Sequence, residues 1–399
     1  MSGKCKMILL LLSAAWMLPG REGSLLIIGG ALSPENQPVY RQFIRAGGGT
    51  DRIRIAIVPG AGNRPVSSAQ SYRADFIAYG VDPGRIRIFP LAVMDDPGTP
   101  DQDESKWFAN RKDARLARDL GECSAVFLTG GDQVRLRDLF LDSRGEPTFL
   151  LDALHRVLAR GGVIAGTSAG AAAVSDPMIC RGDPLLPLFF GAQLNAGCTE
   201  DERQVQLTRG LGLARQILFD QHFNQRCRIG RLIASLAALP ERVLGVGIDE
   251  NTAVFLQGSR LRVLGESEVT VVSLAAKETD EIPHRVKIVE ARLAVLSGGQ
   301  EFLLNREALF TGAGEPVPFP PLEKTTLIQN LMAEKNRKGP VSVDFSRGTE
   351  GWSFILTAAR VFRIIRIQVK PRRWGPLTGA WIRIRAEGGG REGDEKIIK

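Results

Sequence analysis

From Ser24 onward, short runs of β-branched and aliphatic residues alternate with stretches whose apolar positions recur at helical spacing. A strand covered on both faces has no polar side to show, so apolar runs that stop at glycine read as buried strands. The strand candidates are Leu25–Ile28, Ile53–Val58, Arg85–Phe89, Ala125–Leu128 and Val163–Ala165, and Pro65–Tyr79, Ser105–Leu120, Asp132–Phe140 and Pro147–Ala159 carry helical spacing. This alternation predicts an α/β fold with a mostly parallel sheet. Nearly every strand runs into a turn: Gly29-Gly30, Pro59-Gly60-Ala61-Gly62, Gly130-Gly131 or Gly166-Thr167. In such sheets the loops at the carboxyl ends of the strands build the site. Further on, Ile217–Phe219 resumes the strand pattern and Ile229–Ala238 reads as helix. Val243–Leu274 reads as short strands and turns, hairpins that close one end of the sheet.

Beyond Ser297 the pattern changes. Pro316–Pro321 is proline-rich, Leu322–Lys335 has helical spacing, and Arg363–Lys370 and Ile382–Arg385 alternate apolar with basic residues as half-exposed strands do. We therefore expect an α/β region over residues 24–297 and a basic, β-rich extension over 298–399. At 44% hydrophobic and 24% charged, the chain is neither fibrous nor disordered in bulk. Its net charge of +8 sits in the tail, because Arg360–Lys399 holds eleven Lys and Arg against four Asp and Glu. A nearly neutral body without zinc-finger, basic-zipper or RNP-type patterns argues against nucleic acid as a partner.

The N-terminus has Lys4 and Lys6, then an apolar run Met7–Leu18, then Pro19-Gly20-Arg21-Glu22-Gly23. This run is shorter than the roughly 20 residues that span a bilayer. It reads as a signal peptide over residues 1–23, which implies export to the periplasm or beyond and no stable membrane insertion; a cytoplasmic chain with an apolar start is the alternative. Its removal leaves Cys123, Cys180, Cys198 and Cys227, with no CxxC pair and no metal-ligand spacing. Cys180 and Cys198 flank a long loop-like stretch and can pair in an oxidising compartment, although four cysteines allow three connectivities.

The sharpest chemical signal is Gly162-Val163-Ile164-Ala165-Gly166-Thr167-Ser168-Ala169-Gly170-Ala171-Ala172-Ala173. A strand, then Gly-x-Ser-x-Gly, then a small-residue helix is the context of a nucleophile elbow, with the small residues needed where strand and helix crowd. The Ala169 N–H that follows Ser168 can stabilise an oxyanion. A serine needs a base, and imidazole can accept and return a proton near neutrality. Of three histidines, His155 lies on the polar side of its helix and His284 in a polar linker, whereas His222 directly follows an apolar strand. The acid that orients it would come from Gly247-Ile248-Asp249-Glu250, where consecutive residues point to opposite sides and periodicity does not choose. The order serine, histidine, acid argues against an α/β-hydrolase esterase, in which the acid precedes the histidine.

A second glycine turn, Thr129-Gly130-Gly131-Asp132-Gln133, can supply other oxyanion donors, with Gln133 free to bind substrate; equally, it can be an ordinary strand-to-helix turn with Asp132 as N-cap. Arg226, Arg228 and Arg231 crowd after His222, and guanidinium groups beside a nucleophile suit a carboxylate-bearing substrate.

Together, Gly166-Thr167-Ser168-Ala169-Gly170-Ala171, Thr129-Gly130-Gly131-Asp132-Gln133, Asp220-Gln221-His222-Phe223 with Arg226, Arg228 and Arg231, and Gly247-Ile248-Asp249-Glu250 resemble the cyanophycinase family, serine exopeptidases related to dipeptidase E. The resemblance covers about Ser24–Ser297. It implies a three-layer α/β/α sandwich, flavodoxin-like and similar to class I glutamine amidotransferases. It also implies Ser168 as nucleophile, His222 as base and Glu250 as the acid, with Gly131 and Ala169 as oxyanion donors. By the same resemblance Gln133, Asp220, Gln221, Arg226, Arg228 and Arg231 line the cleft, and no metal or organic cofactor is required. The substrate implied is cyanophycin, a polyaspartate with arginine on each side chain, cleaved to β-aspartyl-arginine by a homodimer. A dipeptidase E-like aspartyl dipeptidase and a non-catalytic cyanophycin-binding protein are the alternatives.

Overall fold

The computed structural model describes residues 22–304 apart from 215, 241–242, 280–283 and 285, and beyond them short backbone strand segments between Ala308 and Ile398. Nearly all of the expected signal segment, the proline-rich stretch and the helix expected at Leu322–Lys335 lie outside the described residues.

Five strands, β1 (Ser24–Ile28), β2 (Ile55–Val58), β3 (Ile86–Ile88), β4 (Ala125–Leu128) and β5 (Val163–Thr167), run parallel in the order β1-β5-β4-β2-β3. All of β1 is buried, because alternate side chains enter two different cores. Leu25 and Ile27 pack with Leu116, Leu136 and Leu154 from α3 (Ala114–Gly121), α4 (Gln133–Phe140) and α5 (Phe149–Ala159). Leu26 and Ile28 pack with Tyr40, Phe43 and Phe76 from α1 (Gln37–Ala46) and α2 (Pro65–Ala78). Helices therefore cover both faces of the sheet.

The chain then passes through α6 (Ala169–Ala173), β6 (Met178–Arg181), α7 (Pro187–Phe190), β7 (Ala192–Gln193) and β8 (Val205–Thr208), the three strands forming a small sheet in the order β6-β8-β7. A further sheet pairs β9 (Ile217–Gln221) in parallel with β10 (Leu244–Ile248). Helix α8 (Ile229–Ala238) packs on it through Leu232 and Leu236. On the free side of β1, β11 (Thr252–Gln257) is antiparallel and forms a hairpin with β12 (Arg260–Gly265). Strands β13 (Glu268–Thr279) and β14 (Val286–Ser297) extend the β9–β10 sheet, and β15 (Glu301–Leu303) returns to pair with β12.

Two expectations need correction. The helix expected over Ser105–Leu120 is two pieces, a 3-10 segment at Glu104–Lys112 and α3, because Asp113 adopts extended geometry and its carboxylate accepts the Arg115 and Leu116 N–H groups. That side chain starts a new helix where the apolar spacing alone suggests continuity. Val243–Leu274 does not close one end of a single sheet, since β11 and β12 join the main sheet while β10 and β13 belong to the other. The division buries both faces of β10: Val246 and Ile248 enter the core of Leu25 and Ile27, whereas Gly245 lies against Leu232 and Leu236 of α8.

Candidate active site

Ser168 stands at the junction of β5 and α6 with φ 52° and ψ −112°, a left-handed conformation rare for a side-chain-bearing residue. Such strain costs on the order of 1–3 kcal/mol and persists where the surroundings impose it. Here the strand and helix backbones touch: a Cβ on Gly166 would lie 2.3 Å from the Gly170 oxygen, and one on Gly170 2.6 Å from the Leu128 oxygen. The expected crowding is thus the reason the elbow needs glycine at both positions.

Ser168 Oγ lies 2.9 Å from His222 Nε2, and His222 Nδ1 lies 2.6 Å from Glu250 Oε1. The three residues come from the ends of β5, β9 and β10, and their loops are laced to one place. Ser168 N–H donates to Ile28 O at 2.9 Å, His222 N–H to Gly29 O at 2.7 Å, and Asn251 N–H to Gly30 O at 2.8 Å. Three consecutive carbonyls at the carboxyl end of β1 therefore set the spacing of Ser168, His222 and Glu250. Burial holds the His222 pKa below its ordinary value; Glu250 opposes this, and the positive charges of Arg226 and Arg228 reinforce it. The imidazole is accordingly neutral at neutral pH, with one nitrogen toward the serine and the other toward the carboxylate.

The Gly130-Gly131 turn after β4 lies against the serine: a Cβ on Gly130 would be 3.1 Å from Ser168 Cβ. Ala169 begins α6 directly after the serine. Asp132 is the N-cap of α4, accepting the Val134 N–H at 2.8 Å, and also pairs with Arg181 at 2.8 Å. The buried Gln133 donates through Nε2 to Ile179 O at 3.0 Å and Cys180 O at 2.8 Å.

The other expected cleft residues differ in how open they are. Arg226 is exposed, and its N–H donates to His222 O. Arg228 is buried; its Nη1 donates to Gln221 O at 2.6 Å, and desolvation pushes its pKa down to about 10, so it remains charged at neutral pH. Asp220 and Arg231 are both buried and face each other, with Arg231 Nε 2.7 Å from Asp220 Oδ2 and its Nη1 donating to Gly182 O at 3.0 Å. These two hold each other and their neighbours rather than presenting free charge. Gln221 Oε1 is buried and has no hydrogen-bond partner among the described residues, which leaves it a bond to make. His155 is exposed on α5, and His284 is half-buried in the loop between β13 and β14.

Several contributors carry no motif signal. Gln225 Oε1 accepts the Glu250 N–H at 3.1 Å, Asn224 and Ser267 bind the Asp249 carboxylate, and Arg181 braces Asp132. Residue-type spacing cannot show these, because each bond joins separate segments; Gly29-Gly30, visible as a turn, gains its meaning only from what it meets. Cys180 and Cys198 form a disulfide, and Cys123 and Cys227 are free thiols. Among the described residues no helix is long and apolar enough to cross a membrane, and no group of three or more His, Cys, Asp or Glu side chains could hold a metal ion.

The family model "Peptidase family S51" matches residues 108–264, a span that contains Ser168, His222 and Glu250. The cyanophycinase of Synechococcus elongatus is 32% identical over 293 residues, 72% of this chain and 80% of that protein. The cyanophycinase of Trichormus variabilis is 34% identical over 297 residues, covering 72% of this chain and 87% of its own length. Among solved structures, a peptidase from an acI-B1 Actinobacterium overlays with a TM-score of 0.47 at 19% identity, over 71% of this chain and 98% of that one, too loose a likeness to bear on the site. On the identity and coverage of the curated relatives, the chain belongs to the cyanophycinase family of serine-type peptidases.

Proposed function

We propose that this peptidase degrades cyanophycin to β-aspartyl-arginine dipeptides through an acyl-enzyme on Ser168. The observation that carries this is the continuous chain of contacts Ser168 Oγ, His222 imidazole and Glu250 carboxylate, at 2.9 Å and 2.6 Å. His222 Nε2 takes the hydroxyl proton as Oγ attacks a backbone carbonyl of the polymer, and Glu250 holds the Nδ1–H tautomer and stabilises the imidazolium. His222 then returns the proton to the leaving amine, and water, activated in the same way, releases the dipeptide. The N–H groups of Gly131 and Ala169 are the oxyanion donors; losing one such donor typically costs about a hundred- to a thousandfold in rate.

Each cyanophycin repeat carries one carboxylate and one guanidinium, so recognition has to be specific rather than a matter of bulk attraction. Arg226 and Arg228 answer the carboxylate, and Gln133 and Gln221, the latter with an Oε1 that has no hydrogen-bond partner among the described residues, offer polar contacts. Asp220 and Arg231 hold the cleft wall from behind. Helices on both faces of the sheet support a flavodoxin-like fold similar to class I glutamine amidotransferases, followed by the basic β-rich extension over residues 298–399. The Cys180–Cys198 disulfide supports export to an oxidising compartment, where the enzyme would take polymer released by other cells. The homodimer rests on the family resemblance.

Incubating the purified protein with insoluble cyanophycin and analysing the soluble products by mass tests the proposal. Release of β-aspartyl-arginine that Ser168→Ala abolishes is the expected result. Free aspartate from Asp-X dipeptides without action on the polymer, or polymer binding without hydrolysis, would replace it with one of the other readings.

A further inference from the structure

The segment from Ile179 to Pro184 touches more of the cleft than any motif in it suggests. Ile179 O and Cys180 O receive the Gln133 amide, Gly182 O receives Arg231 Nη1, and Pro184 O receives the Arg231 N–H at 2.8 Å. From the same segment Arg181 reaches back to Asp132, the residue that follows the Gly130-Gly131 turn, at 2.8 Å. Gly230, at the start of α8, packs so closely on it that a Cβ there would lie 2.7 Å from Pro184 O. Elements that come from far apart in the chain, the turn before α4 and the start of α8, are thus registered against one short stretch.

That stretch is tied at Cys180 by the disulfide to Cys198, across a sequence separation of 18. The far end of the bridge has its own anchors: Ala196 N–H donates to Leu207 O at 2.9 Å, and Thr199 N–H to Gln206 Oε1 at 2.7 Å, both on β8. The bonds that hold the catalytic residues run elsewhere, to Ile28 O, Gly29 O and Gln225 Oε1.

We propose that Cys180 and Cys198 are positioning residues for substrate recognition: their disulfide holds the Ile179–Pro184 segment against Gln133 and Arg231 and leaves the Ser168–His222–Glu250 chain untouched. This rests on the cleft assignment above. A cross-link acts by removing conformations from the chain it closes, so opening it lets the segment leave its register while the separate strand ends keep theirs. Reduction by dithiothreitol transfers two electrons and two protons, converting the bridge into two thiols and the reagent into its cyclic disulfide.

The test compares oxidised protein, protein reduced by dithiothreitol with the thiols counted, and Cys180→Ser/Cys198→Ser. The readouts are hydrolysis of a soluble β-aspartyl-arginine trimer and the rate at which diisopropyl fluorophosphate, a small probe needing no cleft, labels Ser168. The expected result is a KM raised about tenfold, equivalent to about 1.4 kcal/mol of lost binding, with kcat and the labelling rate held near their oxidised values. An unchanged KM after complete reduction overturns the proposal. So does a parallel fall in kcat and labelling, or unfolding on reduction, since the bridge would then support the whole domain. Oxidised protein that labels but cannot cleave the trimer or the polymer would instead sink the functional reading on which the proposal rests.

Discussion

Asp249 and Glu250 are consecutive in the chain and send their carboxylates to different partners. Asp249 is 2% exposed and accepts the Asn224 N–H and Nδ2 at 3.0 Å and the Ser267 hydroxyl at 2.8 Å, whereas Glu250 approaches His222 at 2.6 Å. One acid ties the loop after β9 to the start of β13; the other faces the imidazole.

The two should therefore fail in opposite ways. Asp249→Asn is expected to lower stability by about 1–3 kcal/mol, the cost of disturbing a buried, fully bonded acceptor, while the protein that remains folded keeps most of its kcat. Glu250→Gln is expected to lower kcat on the order of 10³–10⁴-fold with stability changed by less than about 0.5 kcal/mol. Urea denaturation set beside trimer hydrolysis separates them; a reversed pattern would move the catalytic role to Asp249.

The pH profile follows from the environment of His222. Burial disfavours the imidazolium, so the acidic limb of kcat/KM should lie below the ordinary histidine value of 6.5, with activity lost only as the pH falls through that lowered pKa. Arg226→Ala removes a nearby positive charge and should move the limb to higher pH. Glu250→Gln removes the carboxylate that favours the cation and should move it lower, read by proton NMR of the imidazole where activity is too weak. A limb above 6.5 in the unsubstituted enzyme would mean that the Glu250 carboxylate outweighs burial at His222.

Gly30 is expected to be irreplaceable. It has φ +107°, and a Cβ there would lie 2.3 Å from His222 Cε1, so Gly30→Ala must displace the imidazole as well as strain the backbone. Hydrolysis should fall by roughly a hundredfold, the loss that follows a displacement of about 1 Å in a catalytic group. Gly49→Ala is the control: its φ is +82° with nothing within 4 Å, so it should cost about 1 kcal/mol of stability and no activity.

Asp220 and Arg231 form a buried pair, with Arg228 Nη1 also 3.6 Å from Asp220 Oδ1, so removing Asp220 strands two guanidiniums, whereas removing Arg231 leaves the carboxylate with Arg228. Asp220→Asn is expected to cost about 3–5 kcal/mol and Arg231→Met less than that, whereas the double substitution should cost less than the sum. Thermal denaturation of the three variants checks the coupling. Additive losses would mean that the two act independently.

Much of the architecture was legible along the chain because its causes are local. Four of the five parallel strands showed as apolar runs that stop at a glycine-bearing turn, since a strand buried on both faces leaves no other pattern, whereas the edge strand β3 carries the exposed Arg87. Ser168 stood out because Gly-x-Ser-x-Gly between a strand and a small-residue helix lies within a few residues, and His222 because it directly follows a strand in a chain with only three histidines. What the chain could not display were relations between segments. The resemblance favoured Glu250 over Asp249, but the geometry depends on Asn224 and Ser267 occupying the other carboxylate. Whether Asp220 and Arg231 are free or paired, and which cysteines meet, depends on distances across separate strands. Gly29-Gly30 read as a turn, yet its carbonyls, with that of Ile28, receive the backbones of all three active-site loops. Periodicity carries information about what a residue does for its own element; a hydrogen bond between distant elements leaves no periodic trace, and only the packed sheet brings its two ends together.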